Sequence, residues 1–380
     1  MSSTAPSAPS RISSQVLESL LAAIVRLDIE AIARAPHVDA ALLCAAAEGP
    51  GLVALVADAL DDLPHVSAAW RSRCSQRARE LAAIDIVKES EFHGLLDDLA
   101  DGNHPFILMK GAQLAYSLYA RPDLRPRIDT DLLIPHSSLD RTLALLRKRG
   151  YAALGAQQEG DLLRYQVTVV KRAEGTDHVV DVHWRVMDPH PLAHVLDYDS
   201  VARWACTIPR LGSAVLGLDE AHALLLACVH RLAHHRGSRP LIWLFDIHML
   251  AQSLAADQWE RFLEECSRMR VAAVCARGLR DARATFATVV PAHVLSDGRL
   301  TPSTNDASTR YLRASRPAEA LLGDLHAMPA WRDRVRLMKQ YVCPPAAYMR
   351  NVYAPNSRLP LPLLYVVRLL KGSPKWLAKS

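Results

Sequence analysis

The chain has 380 residues, of which 50% are hydrophobic and 22% are charged, with a formal net charge of +5 at pH 7. The high apolar content excludes a mostly disordered chain, and the length predicts two or three structural units. The mild charge gives no support for nucleic-acid binding, since basic residues are scattered among acidic ones.

The seven cysteines are widely spaced, and no two have the spacing of a metal-binding pair. This pattern is typical of reduced, mostly buried thiols in a cytoplasmic protein. No apolar stretch approaches the roughly 20 residues of a membrane span. Residues 1–12 are interpreted as a disordered leader because they are rich in Ser, Ala and Pro and contain no apolar signal core.

Residues 13–101 are predicted to form an N-terminal helical region. Apolar residues recur at helical spacing from Val16 to Ile24, and prolines interrupt the pattern further along. From Val66 to about Ala100 few helix breakers occur, so we expect one extended helix that leads into the next unit.

Residues 102–217 are predicted to form an α/β core that begins with a strand, a tight turn and a helix. The apolar run from Phe106 to Met109 predicts the strand, which ends at Lys110-Gly111. The pattern from Ala112 to Tyr119 is helical. This arrangement would place a helix N-terminus beside the end of a strand.

Further strands are predicted along the core. The segment from Ile128 to Ile134 predicts a second strand, and Ser137 is expected to cap a helix that runs to Arg149. The β-rich segments from Arg164 to Lys171 and from His178 to Trp184 are separated by residues 173–176, which predicts a hairpin.

A weaker strand pair is predicted between Cys206 and Leu216, and residues 218–380 are predicted as a C-terminal helical domain. The fold class is therefore α+β, with a small mixed sheet flanked by N- and C-terminal helical regions. The segment from Leu359 to Lys379 mixes apolar and basic residues, and it would either dock on the helical domain or contact a membrane surface.

Asp129 and Asp131 are candidate metal ligands. Positions two apart in a strand point to the same face, so their carboxylates would lie side by side on an otherwise apolar strand. Two such charges repel each other, and a divalent cation resolves the conflict. Asp181, in a β-branched segment, would add a third carboxylate if its strand lies beside the first, but it could also be an edge-strand acid that faces solvent.

The other half of a phosphate-handling site is predicted at Lys110-Gly111. Glycine allows close approach of the backbone, and a helix N-terminus directs amide hydrogens at an anion. Arg125 and Arg127 could neutralise phosphate charge, or they could be structural partners of Asp123 or Asp129. Lys110 could also be a solvated strand end.

Histidines give weaker signals. His183 shares the face of Asp181 by the two-residue rule, so it could touch substrate or metal or be a hydrogen-bonded core histidine. His230 and His234 are one helical turn apart, but no third zinc ligand is evident, and we interpret them as packing residues.

The order of these motifs resembles the polymerase-β-like nucleotidyltransferase superfamily, and most closely its bacterial branch of nucleotidyltransferase family proteins. The resemblance covers about Phe106 to Trp184 and extends loosely to His230 and to Leu241–Ile247. It rests on Lys110-Gly111, then Asp129-x-Asp131 after an arginine, then Asp181-x-His183. Lys110-Gly111 stands where the superfamily usually has Gly-Gly or Gly-Ser, so the serine that contacts phosphate is missing.

The resemblance implies three catalytic carboxylates, Asp129, Asp131 and Asp181, which hold two Mg²⁺ ions. It implies attack on the α-phosphate of a nucleoside triphosphate with pyrophosphate as the leaving group, and a nucleotide site at Lys110, Gly111, Arg127 and Arg125. The acceptor would be a small molecule, sugar, peptide or protein, and no long nucleic acid is expected. The alternative is an inactive or weakly active nucleotide-binding regulatory protein on the same fold.

Overall fold

The computed structural model describes residues 12–154, 165–187, 192–233, 240–303, 306, 308–309, 312, 317–328, 330–353 and 359–377. Within these residues one seven-stranded mixed sheet lies between helical regions, which confirms the predicted fold class.

Five helices precede the sheet. They are α1 (Ser14–Val25), α2 (Ile29–Arg34), α3 (Ala40–Glu48), α4 (Val53–Asp61) and α5 (Ala68–Asp101). The side chains of Asp28, Asp39 and Ser67 cap α2, α3 and α5 by accepting hydrogen bonds from backbone amides in the first turn. The extended helix predicted from the sequence is α5. It packs against α3 and α4 and also contacts the sheet.

The sheet is built from seven short strands. They are β1 (Ile107–Met109), β2 (Thr130–Leu133), β3 (Ala152–Ala153), β4 (Gln166–Ala173), β5 (Thr176–His183), β6 (Cys206–Thr207) and β7 (Leu216–Gly217). Their order is β3-β4-β5-β2-β1-β7-β6. The β2–β5 and β1–β7 pairs are parallel, and the other pairs are antiparallel.

Both predicted strand pairs are present. The β4–β5 hairpin turns through Glu174 and Gly175, whose φ angles of 53° and 77° lie in the left-handed region that such a two-residue turn requires. The start of the predicted first strand, Arg164, lies outside the described residues. The weaker prediction between Cys206 and Leu216 corresponds to the antiparallel pair β6–β7.

Twelve helices follow β1 within the described residues. They are α6 (Lys110–Ser117), α7 (Leu139–Lys148), α8 (Tyr198–Ala202), α9 (Glu220–Ala233), α10 (Leu241–Ser253), α11 (Ala256–Arg268), α12 (Ala272–Phe286), α13 (Ala292–Leu295), α14 (Pro317–Ala327), α15 (Trp331–Val342), α16 (Ala346–Tyr353) and α17 (Leu361–Leu377). Among the helices described, none has the length and apolarity needed to cross a bilayer.

Two boundaries near the acidic segment differ from prediction. Helix α6 begins at Lys110 instead of Ala112, because Lys110 adopts a φ of 56° and turns the chain directly from strand into helix. Strand β2 begins at Thr130 instead of Ile128, since its pairing with β5 starts at Thr130. Ile128 is therefore an exposed side chain, and Asp129 lies just before the strand.

Apolar side chains form two large clusters. One joins the N-terminal helices to α9, α10, α11 and α12, and the other fills the space between α5, α6 and the sheet. The buried residues of α14 to α17 instead form two small clusters of their own. Five of the seven cysteines are buried, as expected for structural thiols.

Candidate active site

Two acids face each other across the centre of the sheet. In the parallel β2–β5 pair, Asp131 lies opposite Asp181, and Leu133 lies opposite His183. Because side chains alternate along a strand, Asp181 and His183 point to the same face. Strand β5 lies between β2 and β4, so the alternative of an edge-strand acid does not apply to Asp181.

Asp131, Asp181 and His183 form a group that could hold a metal ion, since one ligand atom from each lies within 4.8 Å of the others. The Nε2 atom of His183 is 2.8 Å from Oδ1 of Asp131, and both side chains are almost fully buried. His183 is therefore a buried, hydrogen-bonded histidine, and it also lies within the group that could hold a metal.

Lys110 is the cationic partner of Asp131. Its Nζ atom lies 2.7 Å from Oδ1 of Asp131, and its side chain is 16% exposed, so it is not a solvated strand end. Burial alone would raise the pKa of Asp131, but the charge of Lys110 and the hydrogen bond from His183 hold that pKa well below its usual range. Asp131 is therefore ionised at all physiological pH values.

Asp129 lies in a different electrostatic setting. Burial, and after it the charge of Asp131, raises the pKa of Asp129 to about 7, although Lys110 lowers it. Asp181 also contributes to the increase. Arg125 lowers the pKa as well. Three carboxylates thus influence one another in a buried setting with Lys110 paired to Asp131, an arrangement that suits a divalent cation with oxygen ligands, although Asp129 lies outside the 4.8 Å group of Asp131, Asp181 and His183.

The carboxylate of Asp181 is oriented by side chains of the neighbouring strand. Thr168 donates a hydrogen bond from Oγ1 to Oδ1 at 2.6 Å, and Gln166 donates one from Nε2 to Oδ2 at 3.2 Å. Both residues lie on β4. The hairpin therefore fixes the direction of this carboxylate, which has an oxygen within 4.8 Å of the ligand atoms of Asp131 and His183.

Arg125 has a structural partner that the sequence did not reveal. It is buried and donates from Nε and Nη2 to the carboxylate of Asp246 on α10, at 2.9, 3.1 and 2.8 Å. The hydroxyl of Tyr119 donates to the same carboxylate at 2.7 Å. Of the two partners suggested for Arg125, Asp129 interacts with it through charge, and the hydrogen-bonded partner is Asp246. A single acid within an apolar helix gave no signal of that contact.

The guanidinium of Arg125 also explains the glycine in the turn. A Cβ atom at position 111 would lie 3.1 Å from Nη1 of Arg125, which is closer than ordinary van der Waals contact. The same nitrogen donates to the carbonyl of Pro126 at 2.7 Å. Gly111 therefore allows the guanidinium to pack directly beneath the first turn of α6.

Arg127 packs on aromatic rings. Its guanidinium carbon lies 5.1 Å from the ring centre of Phe92 and 4.9 Å from that of Tyr116, and Nη1 donates to the Tyr116 hydroxyl at 3.1 Å. Asp123, one of its suggested partners, instead forms an ion pair with Arg121. The rings hold the charge of Arg127 next to the acidic segment.

A cavity of about 460 Å³ opens in front of the acids, between the N-terminal helices and the first C-terminal helices. Its charged end contains six of the predicted site residues, which are Lys110, Gly111, Arg125, Arg127, Asp129 and Asp131. Its other walls are largely apolar, with Leu81 of α5 and Ile242 and Trp243 of α10. Asp181 and His183, on the neighbouring strand β5, do not line this cavity.

His230 and Asp85 also line the cavity and were not predicted as site residues. The ring of His230 packs edge-on against Trp243, with centroids 5.0 Å apart, in keeping with the predicted packing role. His234 lies outside the described residues. Burial raises the pKa of Asp85 on α5, although Arg127 lowers it. The tertiary fold brings both residues to the site; the resemblance extended loosely to His230, and Asp85 had no motif near it.

The chain belongs to a family described as uncharacterised nucleotidyltransferase, whose model matches residues 36–287. The matched region extends from the N-terminal helices through α12, so it contains both the sheet and the walls of the cavity. No match was found among curated proteins.

Proposed function

We propose that this protein is a magnesium-dependent nucleotidyltransferase that transfers a nucleoside monophosphate from a nucleoside triphosphate to an acceptor and releases pyrophosphate. The observation that carries this proposal is the pairing of Asp131 with Asp181 across parallel strands, with Asp129 beside them at the mouth of a large cavity. Family membership supports a nucleoside triphosphate as substrate.

We assign the metal ligands to Asp129, Asp131 and Asp181, because carboxylate oxygens are the ligands that Mg²⁺ prefers. Two bound ions would neutralise phosphate charge and stabilise the attacking and leaving oxygens of an in-line displacement. His183 would orient Asp131 through their 2.8 Å hydrogen bond. It is a less suitable ligand for Mg²⁺ than the carboxylates, since imidazole nitrogen favours softer metals.

The nucleotide would bind at the start of α6. Triphosphate oxygens offer Lys110 an anionic partner in place of Asp131, and the glycine at 111 allows close approach of a phosphate to the backbone. Arg127 lines the same cavity and would add positive charge. Arg125 would act by supporting the Gly111 turn, because Asp246 already engages its Nε and Nη2 atoms.

The acceptor would enter the cavity from the side of the apolar walls. A small molecule, a sugar, or a peptide or protein segment fits this description, and no long nucleic acid is expected. The resemblance to the superfamily implies that Asp181, held by Thr168 and Gln166, accepts the proton of the acceptor hydroxyl. Because Asp181 does not line the cavity, that hydroxyl would have to extend past Asp131 to reach it. We place the reaction in the cytoplasm because all seven cysteines are free thiols, which is typical of a reducing compartment.

One observation favours a second candidate, an inactive or weakly active nucleotide-binding regulator. Asp131 is already paired, with Lys110 at 2.7 Å and His183 at 2.8 Å from the same oxygen. A lysine that stays in this position would occupy the place of a cation. Such a protein would bind nucleotide without turnover.

The two candidates are distinguished by measuring pyrophosphate release from a panel of nucleoside triphosphates with and without Mg²⁺. Asp131→Asn should abolish release. Asp177→Asn is the matched control, since Asp177 lies on the neighbouring strand β5 in an exposed ion pair with Arg172. A thermal shift by one nucleotide without release would support the regulator, and the absence of both would contradict either candidate.

A further inference from the structure

The helix α15 carries an apolar stripe that faces solvent. Its members recur at intervals of four, three and four residues, which places them on one side of the helix. They are Trp331, Val335, Met338 and Val342, exposed by 67%, 58%, 37% and 40%. Leu337, on another face of the helix, is fully buried in a cluster with Leu321 and Met328. The exposed stripe is therefore a second apolar face, separate from the one that holds α15 in the fold.

Basic residues flank this stripe. Among its twelve residues α15 has four basic side chains and one acidic one, Asp333. At 100° per residue, Arg334 falls on one side of the stripe, and Arg332 and Lys339 fall on the other. All three are exposed. Positive charge thus borders the apolar surface on both sides.

The last helix shows a similar apolar pattern. On and just before α17, exposed residues recur at the same intervals, namely Leu359, Leu363, Val366 and Leu370, with exposures of 40%, 50%, 50% and 70%. Leu364 on another face is buried against Met349. Helices α14 and α16 both contact α17. Exposed apolar stripes therefore occur on two of the four helices at this end of the chain.

We propose that α15 is a peripheral docking site for an anionic lipid surface. A helix with an apolar stripe, flanking cations and a tryptophan on the stripe is suited to lie in the plane of the membrane interface, with its apolar side chains below the headgroups. Phosphate and carboxylate headgroups complement the arginine and lysine side chains. The family match ends at residue 287, so this surface belongs to a part of the chain outside the catalytic unit and does not depend on the proposed function.

A second copy of the chain is a less suitable partner for this apolar stripe than an anionic lipid surface. Self-association through this stripe would bring the cations of two α15 helices together, and like charges at an interface oppose binding. A bilayer has the opposite charge and offers a wide, flat surface. It also accommodates the bulky ring of Trp331 without a dedicated pocket.

The test is co-sedimentation of the full chain with vesicles of phosphatidylcholine alone and of phosphatidylcholine with an equal part of phosphatidylglycerol. We expect binding to the anionic vesicles, weakened by salt, and little binding to the neutral ones. Val335→Asp should lower the affinity about tenfold or more, because it places an anion in the stripe. Val289→Asp is the matched control, since Val289 is 68% exposed and lies outside the stripe.

A charge variant, Lys339→Glu, leaves the apolar stripe intact and should weaken binding to anionic vesicles, mainly at low salt. Thermal melts of all variants check that they fold. The proposal is overturned if wild-type protein ignores the anionic vesicles, or if Val335→Asp and Val289→Asp bind equally well. A dimer that dissociates on Val335→Asp, without vesicle binding, would assign the stripe to a second copy instead.

Discussion

The guanidinium of Arg125 and the carboxylate of Asp246 form a buried ion pair between the loop that leads into β2 and the helix α10. The side chains are 9% and 5% exposed, and three nitrogen–oxygen distances are 3.1 Å or shorter. The pair connects the acidic segment, the Gly111 turn and the far wall of the cavity. It is therefore one contact through which the helical region supports the candidate site.

Removing one partner of this pair should destabilise the fold strongly. Asp246→Ala leaves the charge of Arg125 buried without compensation, and we expect a loss of about 3–5 kcal/mol in the free energy of unfolding by urea. Asp58→Ala breaks an exposed ion pair with Arg121 and should cost at most about 1 kcal/mol. Equal losses for the two variants would contradict the supporting role of Asp246.

Lys110 should compete with metal ions for Asp131. In the absence of nucleotide, Lys110→Gln is expected to raise the Mn²⁺ affinity about tenfold, or ~1.4 kcal/mol, because it removes the cation that is paired with the ligand. The same variant should weaken triphosphate binding. Isothermal titration measures both. Lys171→Gln is the control. It removes a lysine that is paired with Glu91 and not with Asp129, Asp131 or Asp181, and it should change neither affinity.

Metal binding should depend on pH through Asp129. Its pKa of about 7 lies above the ordinary 3.8, so below pH 7 the metal-free protein holds a proton on this carboxyl that a cation must displace. We expect the logarithm of the Mn²⁺ affinity to rise by about one per pH unit up to about pH 7 and then to level off. Asp129→Asn should bind more weakly and without this dependence. A flat profile in the wild type would show that Asp129 is not a ligand.

Asp219 should contribute to stability at neutral pH and lose that contribution in acid. Burial would raise its pKa, but the hydrogen bond from His222 and then the contact with Arg261 lower it below 3.8. An acid whose pKa is lower in the folded than in the unfolded protein stabilises the folded state at pH values above its unfolded-state pKa. That stabilisation is lost as the pH falls through the folded-state pKa. Asp219→Asn should therefore cost about 1–3 kcal/mol at pH 7, and the difference from wild type should shrink below about pH 4. Urea unfolding at several pH values measures this, and a difference that does not change with pH would contradict it.

Much of the fold was predictable because its signals are local. The switch from helical spacing to short apolar runs located the sheet, and the residues between β4 and β5 predicted the hairpin. The boundaries were less predictable. Asp129 looked like part of a strand, yet β2 starts one residue later, since strand length depends on the pairing with β5.

The candidate site was predictable in its acids and less so in its cations. The alternation of side chains predicted Asp129 beside Asp131 and His183 beside Asp181, with the acids as neighbours if their strands paired. The register brings Asp131, Asp181 and His183 together, whereas Asp129 lies just before β2 and outside that group. Lys110 was assigned to phosphate, but here it neutralises Asp131. Ion-pair partners depend on distances across the fold, which no spacing along the chain encodes.

The sequence by itself determined the chemistry that is available, three acids in β-rich segments and a lysine-glycine turn before a helix, because strand and helix periodicities act over a few residues. The tertiary structure decided which charged side chains lie in contact. Packing of α10 against the loop before β2 brought Asp246 to Arg125, and the parallel pairing of β2 with β5 set Asp131 opposite Asp181. Burial acts to raise the pKa of both Asp129 and Asp131, but Lys110 and His183 hold that of Asp131 well below its usual range, so the neighbours set by the fold give the two carboxyls opposite pKa shifts.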